Sequence, residues 1–169
     1  QAIVADCHPA ALLTTSSILE FAGELLDEFP EFAGVSRIAT DELDETVADA
    51  WSAPRIMPDG LAFLQYTSGS TAKPKGVMLT HANLMHNLAL IRDAFAMDEE
   101  SCGAIWLPPY HDMGLIGGIL EPLFAGRPCT LLSPLDFLQR PMRWLRAVSK
   151  YRATVSGGPN FAYDLCVRK

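Results

Sequence analysis

Between Gln65 and Gly76 the chain reads QYTSGSTAKPKG. Four hydroxyls (Thr67, Ser68, Ser70, Thr71), two glycines (Gly69, Gly76) and two lysines (Lys73, Lys75) fall together, with apolar segments on both sides. A tight turn of backbone aims several N–H groups at one point and cradles an anion. Short hydroxyl side chains add donors without blocking close approach. Gly69 permits a positive φ and leaves room for a phosphate. Lys73 and Lys75 supply positive charge, and Pro74 stiffens the segment between them. Together these suit a triphosphate or pyrophosphate. The plainer alternative is an exposed Ser/Gly turn with ordinary surface lysines, and the order TSGST-x-x-PKG favours the phosphate. The loop is neither G-x-x-x-x-G-K-S/T nor G-x-G-x-x-G, both of which lead into a helix. No G-x-S-x-G nucleophile elbow is present, which disfavours an α/β-hydrolase.

A second constellation is WLPPYHDMGLIGG, Trp106–Gly118. It sets Tyr110, His111, Asp112, Met113 and Gly114 just past a strand-like AIWL, and ligands of open α/β sheets bind beyond the carboxyl ends of strands. A lone histidine is often a satisfied structural residue; here Pro-Pro before it and glycines after it are expected to present His111 to a cavity. Asp112 is expected to cap the following helix. A third stretch, ATVSGGPNFAYDLC (Ala153–Cys166), reads as a strand–turn–helix junction capped by Asn160. Its Ser156, Gly157, Gly158, Pro159 and Asn160, followed by Phe161 and Tyr163, also suit the wall of an apolar tunnel. The four cysteines lie far apart without a CxxC pair, so neither a metal site nor a disulfide framework is expected.

YTSGSTAKPKG resembles the signature phosphate loop of the adenylate-forming superfamily: acyl-CoA synthetases, nonribosomal-peptide adenylation domains and luciferases. Its usual pattern is Y/F-TSGSTG-x-PKG, and Ala72 stands where a glycine is usual. LPPYHDMGLIGG resembles the family's second core motif, P-x-F/Y-H-x-x-G. Together with LQRPMRWLRAVSKYRATVSGGPNFAYDLC, it is most similar to the fatty acyl-AMP ligases. The resemblance covers the whole chain and is weakest over residues 1–58.

The resemblance implies a partial N-terminal domain of the acetyl-CoA synthetase-like fold over residues 1–169. It implies activation of a fatty acid by ATP and Mg²⁺ to an acyl-adenylate, with release of pyrophosphate. The acyl group then passes to an acyl carrier protein or polyketide synthase, or alternatively to CoA. Residues Thr67 to Thr71, Lys73, Lys75 and Gly76 would hold the phosphates, with Lys75 and His111 catalytic. Tyr110, His111, Met113, Gly114 and Ser156 to Asn160 would meet the acid. The family's Mg²⁺-binding Y-G-x-T-E motif, hinge and catalytic lysine of the small C-terminal domain are not found. The chain is therefore expected to be an internal piece of a longer protein and inactive alone. A non-catalytic nucleotide-binding or structural segment is the alternative of another class.

These residues need elements to position them. ALLTT (11–15) and Val35–Ala39 read as short strands around a helix carrying Ile18, Phe21, Leu25 and Phe29 at helical spacing, with a capping box at Ser17–Glu20 and a stop at Pro30. Residues 41–58 are acidic and irregular, a surface connection. Leu61–Tyr66 and Gly76–Thr80 are strands, so the loop joins strand to strand. A helix follows from His81 to Ala96, with Leu84, Leu88, Ile91 and Phe95 on one face. Further strands are expected at 104–107, 128–132 and 153–156. Between them lie a Gly-rich helix ending near Phe124 and a helix from Pro141, with Trp144, Leu145 and Val148 inside and Arg140, Arg143, Arg146 and Lys150 outside. A last helix starts near Phe161. This rhythm predicts an α/β fold, a largely parallel sheet flanked by helices.

The 169 residues suffice for one domain, and 49% hydrophobic with 20% charged residues is an ordinary globular composition. Residues 1–60 carry 12 acids and 2 bases, and the remainder 8 acids and 11 bases. The net charge of −7 disfavours nucleic acid. The longest apolar runs are too short for a transmembrane helix. A cytoplasmic protein with reduced thiols is expected.

Overall fold

The computed structural model describes residues 2–67 and 74–168. The chain divides into two compact units, residues 1–81 and 82–169.

The first unit opens with a short helix α1 (Ala2–Cys7), which the sequence pattern did not announce. Strand β1 (Ala11–Thr14), helix α2 (Ser16–Asp27) and strand β2 (Ser36–Ala39) form a β-α-β unit, with β1 and β2 parallel and Ala11 opposite Ser36. Arg37 ties the strand to the helix, donating to the Gly23 carbonyl at 3.2 Å and to Asp27 at 2.8 Å. The expected capping box does not form. Ser17 lies inside the helix, Thr15 occupies the cap without a side-chain bond to backbone, and the two hydroxyls meet at 3.1 Å. The open helix end is satisfied from across the fold instead: Asp41 accepts from the Ser16 amide at 2.8 Å and the Ser16 hydroxyl at 2.7 Å. A carboxylate at a helix start satisfies orphan amides and meets the positive end of the helix dipole. The Ser16 bonds hold Asp41 below the ordinary carboxylate range.

Residues 41–59 run exposed, interrupted by a 3-10 turn (Glu45–Ala50) that Asp44 caps. Strands β3 (Leu61–Thr67) and β4 (Lys75–Thr80) then form an antiparallel hairpin with a bulge near Leu61. The loop does join strand to strand, and Thr67 faces Lys75 across its base.

The second unit holds the buried core. Helix α3 (His81–Ala94) is followed by β5 (Gly103–Ile105), and then by three helical pieces in a row: α4 (Asp112–Leu115), a π-turn (Ile116–Leu120) and α5 (Glu121–Ala125). Gly126, at φ 65°, closes α5 in the left-handed conformation that suits glycine. Strand β6 (Cys129–Leu131) pairs parallel to β5. Helices α6 (Pro134–Gln139), α7 (Met142–Tyr151) and α8 (Asn160–Val167) complete the unit. The strand expected at 153–156 reduces to one parallel bridge, Val155 to Gly103.

Trp106, Phe137, Trp144 and Ala162 form the core. The Trp106 and Phe137 rings stack at 3.8 Å, and Trp144 meets both edge-on. On α7 the inner positions are Trp144 and Ala147, with Val148 packed beside them. Leu145, expected inside, is turned outward, because one residue along a helix is a step of about 100°. Asn160 is the first residue of α8 rather than its cap; Pro159 takes the cap position. The observed architecture is α/β: among the described residues, two parallel strand pairs, β1–β2 and β5–β6, and one antiparallel hairpin, β3–β4.

Candidate functional site

In the second unit a cavity of about 540 Å³ opens beyond the carboxyl end of β5, a size in the range of ligand pockets, about 300–1,000 Å³. Helix α3 contributes Asn87 and Ile91, with Phe95 and Met97 following it. The end of β5 gives Ile105 and, just beyond, Leu107. The helical run supplies His111, Asp112, Met113, Ile116, Gly117 and Glu121, and the bridge segment gives Val155, Ser156 and Gly157. Hydrophobic side chains dominate, with a few polar groups among them.

Gly114 fixes how the helical run approaches. A Cβ there would stand 2.0 Å from the Pro108 carbonyl oxygen, so only glycine lets α4 lie against that backbone. His111 is thereby held just before the helix. Its amide donates to the Pro108 carbonyl at 3.1 Å and its own carbonyl accepts from Leu115 at 2.8 Å. The backbone at His111 is extended, and Nδ1 lies 3.3 Å from the Met113 amide and 2.6 Å from Asp112 Oδ1. Asp112 also accepts from the Met113 amide at 2.6 Å. The cap of α4 is thus His111; Asp112, expected to cap it, is instead its first residue and bonds the same amide. With Nδ1 engaged on this side, Nε2 is the ring nitrogen left to meet a ligand.

Ser156 is committed to the fold. Its hydroxyl donates to the Ala104 carbonyl at 2.5 Å and accepts from the Trp144 indole at 2.7 Å. It ties the bridge segment to β5 and α7 at the cavity wall. A Cβ on Gly157 would meet nothing within 4 Å, whereas one on Gly158 would press on Trp106 at 3.0 Å. Of the residues expected to meet the acid, His111, Met113, Ser156 and Gly157 line the cavity. Gly114 lies against the Pro108 backbone, Gly158 packs on the core, and Tyr110 is exposed. Pro159 and Asn160 start α8, outside the lining.

In the first unit, Thr67 ends β3, Lys75 begins β4 and Gly76 stands opposite Tyr66. A Cβ at Gly76 would meet the Tyr66 ring at 2.9 Å, so this glycine lets the ring lie across the hairpin. The Tyr66 hydroxyl donates to Asp6 on α1 at 2.5 Å, which pushes the phenol well up. Ser68, Gly69, Ser70, Thr71 and Lys73, expected to hold phosphate, lie outside the described residues.

Two features of the cavity escaped the sequence reading. One is the α3 wall of Asn87, Ile91 and Phe95, whose spacing marked an inner face but not a ligand-facing one. The other is Glu121, a carboxyl within the apolar GLIGGILEPLF, a signal visible in the sequence. Among the described residues, no group of three His, Cys, Asp or Glu side chains converges on a metal-sized site. No helix among them is long and apolar enough to cross a membrane.

The family model for AMP-binding enzymes matches residues 1–169. The chain is 43% identical over 173 residues to the medium-chain-fatty-acid–[acyl-carrier-protein] ligase JamA of Moorena producens, covering all of this chain and 29% of JamA. It is 39% identical over 170 residues to the long-chain-fatty-acid–AMP ligase FadD32 of Mycolicibacterium smegmatis, covering 97% of this chain and 27% of that protein. It superposes on a fatty acyl-adenylate ligase of L. pneumophila, crystallised with acyl adenylate and pyrophosphate, with a TM-score of 0.85 at 42% identity. That match covers 99% of this chain and 29% of the other. The chain thus spans less than a third of the length of these relatives, and it belongs to the family of AMP-binding enzymes.

Proposed function

We propose that the chain is a segment of a longer fatty acyl-AMP ligase, carrying its phosphate loop and part of its acyl pocket. The observation that carries this is the apolar cavity with His111 at its lining, beyond the end of a parallel strand. An acyl chain would occupy the space among Ile91, Phe95, Ile105 and Ile116 and be stabilised by removal from water. In the reaction, a carboxylate oxygen attacks the α-phosphorus of ATP, the bond to the bridging oxygen breaks, and pyrophosphate leaves with its electron pair. The acyl group then passes from the adenylate to a thiol, releasing AMP.

His111 Nε2–H would donate to the carboxylate and orient it near the α-phosphate, with Nδ1 accepting from the Met113 amide. Lys75 and the hydroxyls and amides of residues 67–76 would hold the β- and γ-phosphates and stabilise the charge that collects on the leaving pyrophosphate. Positioning and fixed charge account for most of such catalysis. Tyr110, Gly114, Gly158, Pro159 and Asn160 would act around the acid through the backbone they shape. The described residues do not converge on a Mg²⁺ site. The ion that accompanies ATP belongs to this proposal only through residues elsewhere, and no step is routed through it. The acceptor proposed is the phosphopantetheine thiol of an acyl carrier protein, alone or within a polyketide synthase, as the name of JamA supports. A cytoplasmic location belongs to the same proposal; ATP supply and four free cysteines suit it.

A CoA acceptor is the second reading, favoured by 40% identity to a putative fatty-acid–CoA ligase, FadD21, of Mycobacterium tuberculosis. The experiment gives the full-length protein a fatty acid, MgATP and excess CoA, and separates the products. Acyl-adenylate persisting despite CoA supports the acyl-AMP ligase. Acyl-CoA moves the assignment to the second reading. No activated product would leave a non-catalytic nucleotide-binding segment.

A further inference from the structure

Glu121 is buried without a partner. It is 1% exposed, and neither of its side-chain oxygens has a hydrogen bond. It opens α5 directly after the π-turn and lines the cavity beside Ile91, Phe95, Ile105 and Ile116. Buried carboxyl groups are almost always hydrogen-bonded, and an orphan calls for a ligand or a role. π-turns within helices are frequent at functional sites, an independent pointer to the same place.

Burial pushes the Glu121 carboxyl up, and the nearby positive charge of Arg92 opposes this only in part. Arg92 is otherwise engaged: its guanidinium bonds Asp93 at 3.2 Å and lies 5.5 Å over the Phe124 ring. A carboxyl always presents an acceptor oxygen, and when protonated it adds an O–H donor beside it. In an apolar cavity the small group that answers both is a hydroxyl, which also donates and accepts. A plain hydrocarbon chain against the same wall would leave both carboxyl oxygens unpaired.

We propose that Glu121 is a specificity-determining residue that hydrogen-bonds a hydroxyl on the acyl chain, making a hydroxylated fatty acid the preferred substrate. This rests on the acyl-AMP ligase reading, with His111 near the reacting carboxylate. The helical run 112–120, about two turns and so on the order of 10 Å of rise, separates His111 from Glu121. The hydroxyl recognised therefore sits well along the chain, far from carbon 3.

The test is acyl-adenylate formation by the full-length protein, read by ATP–pyrophosphate exchange. The probes are an unsubstituted fatty acid and isomers hydroxylated at carbon 3, at mid-chain and at the terminal carbon. A mid-chain or terminal isomer is expected to exceed the unsubstituted acid in kcat/KM by about tenfold or more. Glu121→Leu should abolish or invert that preference, while Glu121→Gln, which keeps a donor and an acceptor, should retain most of it. Should the leucine variant not fold, the wild type and the glutamine variant decide. A wild type that takes the unsubstituted acid at least as well as every isomer overturns the hydroxyl inference and leaves the ligase reading standing. So does preference for the 3-hydroxy isomer, or a preference that survives Glu121→Leu. Absence of exchange with every one of these acids overturns the ligase reading and this inference with it.

Discussion

Lys75 is exposed at the first position of β4, so its removal takes nothing from a core. Lys75→Ala in the full-length protein is expected to lower kcat for adenylation by about 10²-fold and to shift stability by less than about 0.5 kcal/mol. Unfolding by the substitution, with activity per folded molecule unchanged, would remove the lysine from the phosphate role. Ser156 should behave in the opposite way. Ser156→Ala strands the buried Trp144 indole N–H and the Ala104 carbonyl, at a cost of about 1–3 kcal/mol. Denaturant melts should therefore show a larger effect than the KM for the acid. Both positions were legible as candidates in the sequence; the fold leaves Lys75 exposed at the hairpin and commits the Ser156 hydroxyl to packing. Ser156 sits at the cavity with its hydroxyl spent on two neighbours 12 and 52 residues away. Glu121 was legible as an oddity and not as a site, because its apolar surroundings come from α3 and β5, which only the tertiary fold brings beside it.

Gly114 governs a whole segment. Gly114→Ala forces α4 off the Pro108 carbonyl, which should cost about 1–3 kcal/mol or more and carry His111 with it. Loss of adenylation together with a lowered melting temperature is the expected pair of readings. The start of α2 has a pH signature. Asp41 is held below its ordinary value of 3.8 by Ser16. Its contribution is complete above that value and is lost as pH falls through the lowered value of the folded chain. The protection factor of the Ser16 amide, taken relative to its intrinsic exchange rate, should thus hold near neutrality and fall only below about pH 4. Strands, the loop's strand-to-strand setting and most helices could be read from hydrophobic period and turn residues. The capping box at Ser17 could not be settled locally, because Asp41 competes for the same helix end from 25 residues away. The strand at 153–156 shrank to a bridge because the bonds of that segment go to Cys102, Ala104 and Gly103 at scattered points.

The two units differ in what they bury. Every fully buried described residue lies in the second, and the first leaves Phe21 91% and Trp51 73% exposed. Two-stranded sheets with little buried apolar surface are marginal in water, and large exposed apolar groups mark surfaces that bind something. The 169 residues alone are therefore expected to bind a hydrophobic dye such as ANS and to bind ATP weakly. They should give no multiple-turnover acyl-adenylate synthesis. Turnover by the isolated segment would refute the proposal that the catalytic machinery extends beyond it. The α/β rhythm was legible because periodicity is a local property. The division into a well-buried and a poorly buried unit was not, because burial depends on which faces meet.

The π-turn at Ile116–Leu120 acts as a phase adjuster in the cavity wall. A wide turn absorbs roughly one residue's worth of rotation, about 100°. His111 and Met113 come before it and Glu121 after it, so the two groups would point along different azimuths in an unbroken α-helix. When relatives are compared position by position, a chain lacking the wide turn would present a different residue to the same spot, offset by one in the alignment. Two pockets could then share every aligned side chain and still recognise different acyl chains.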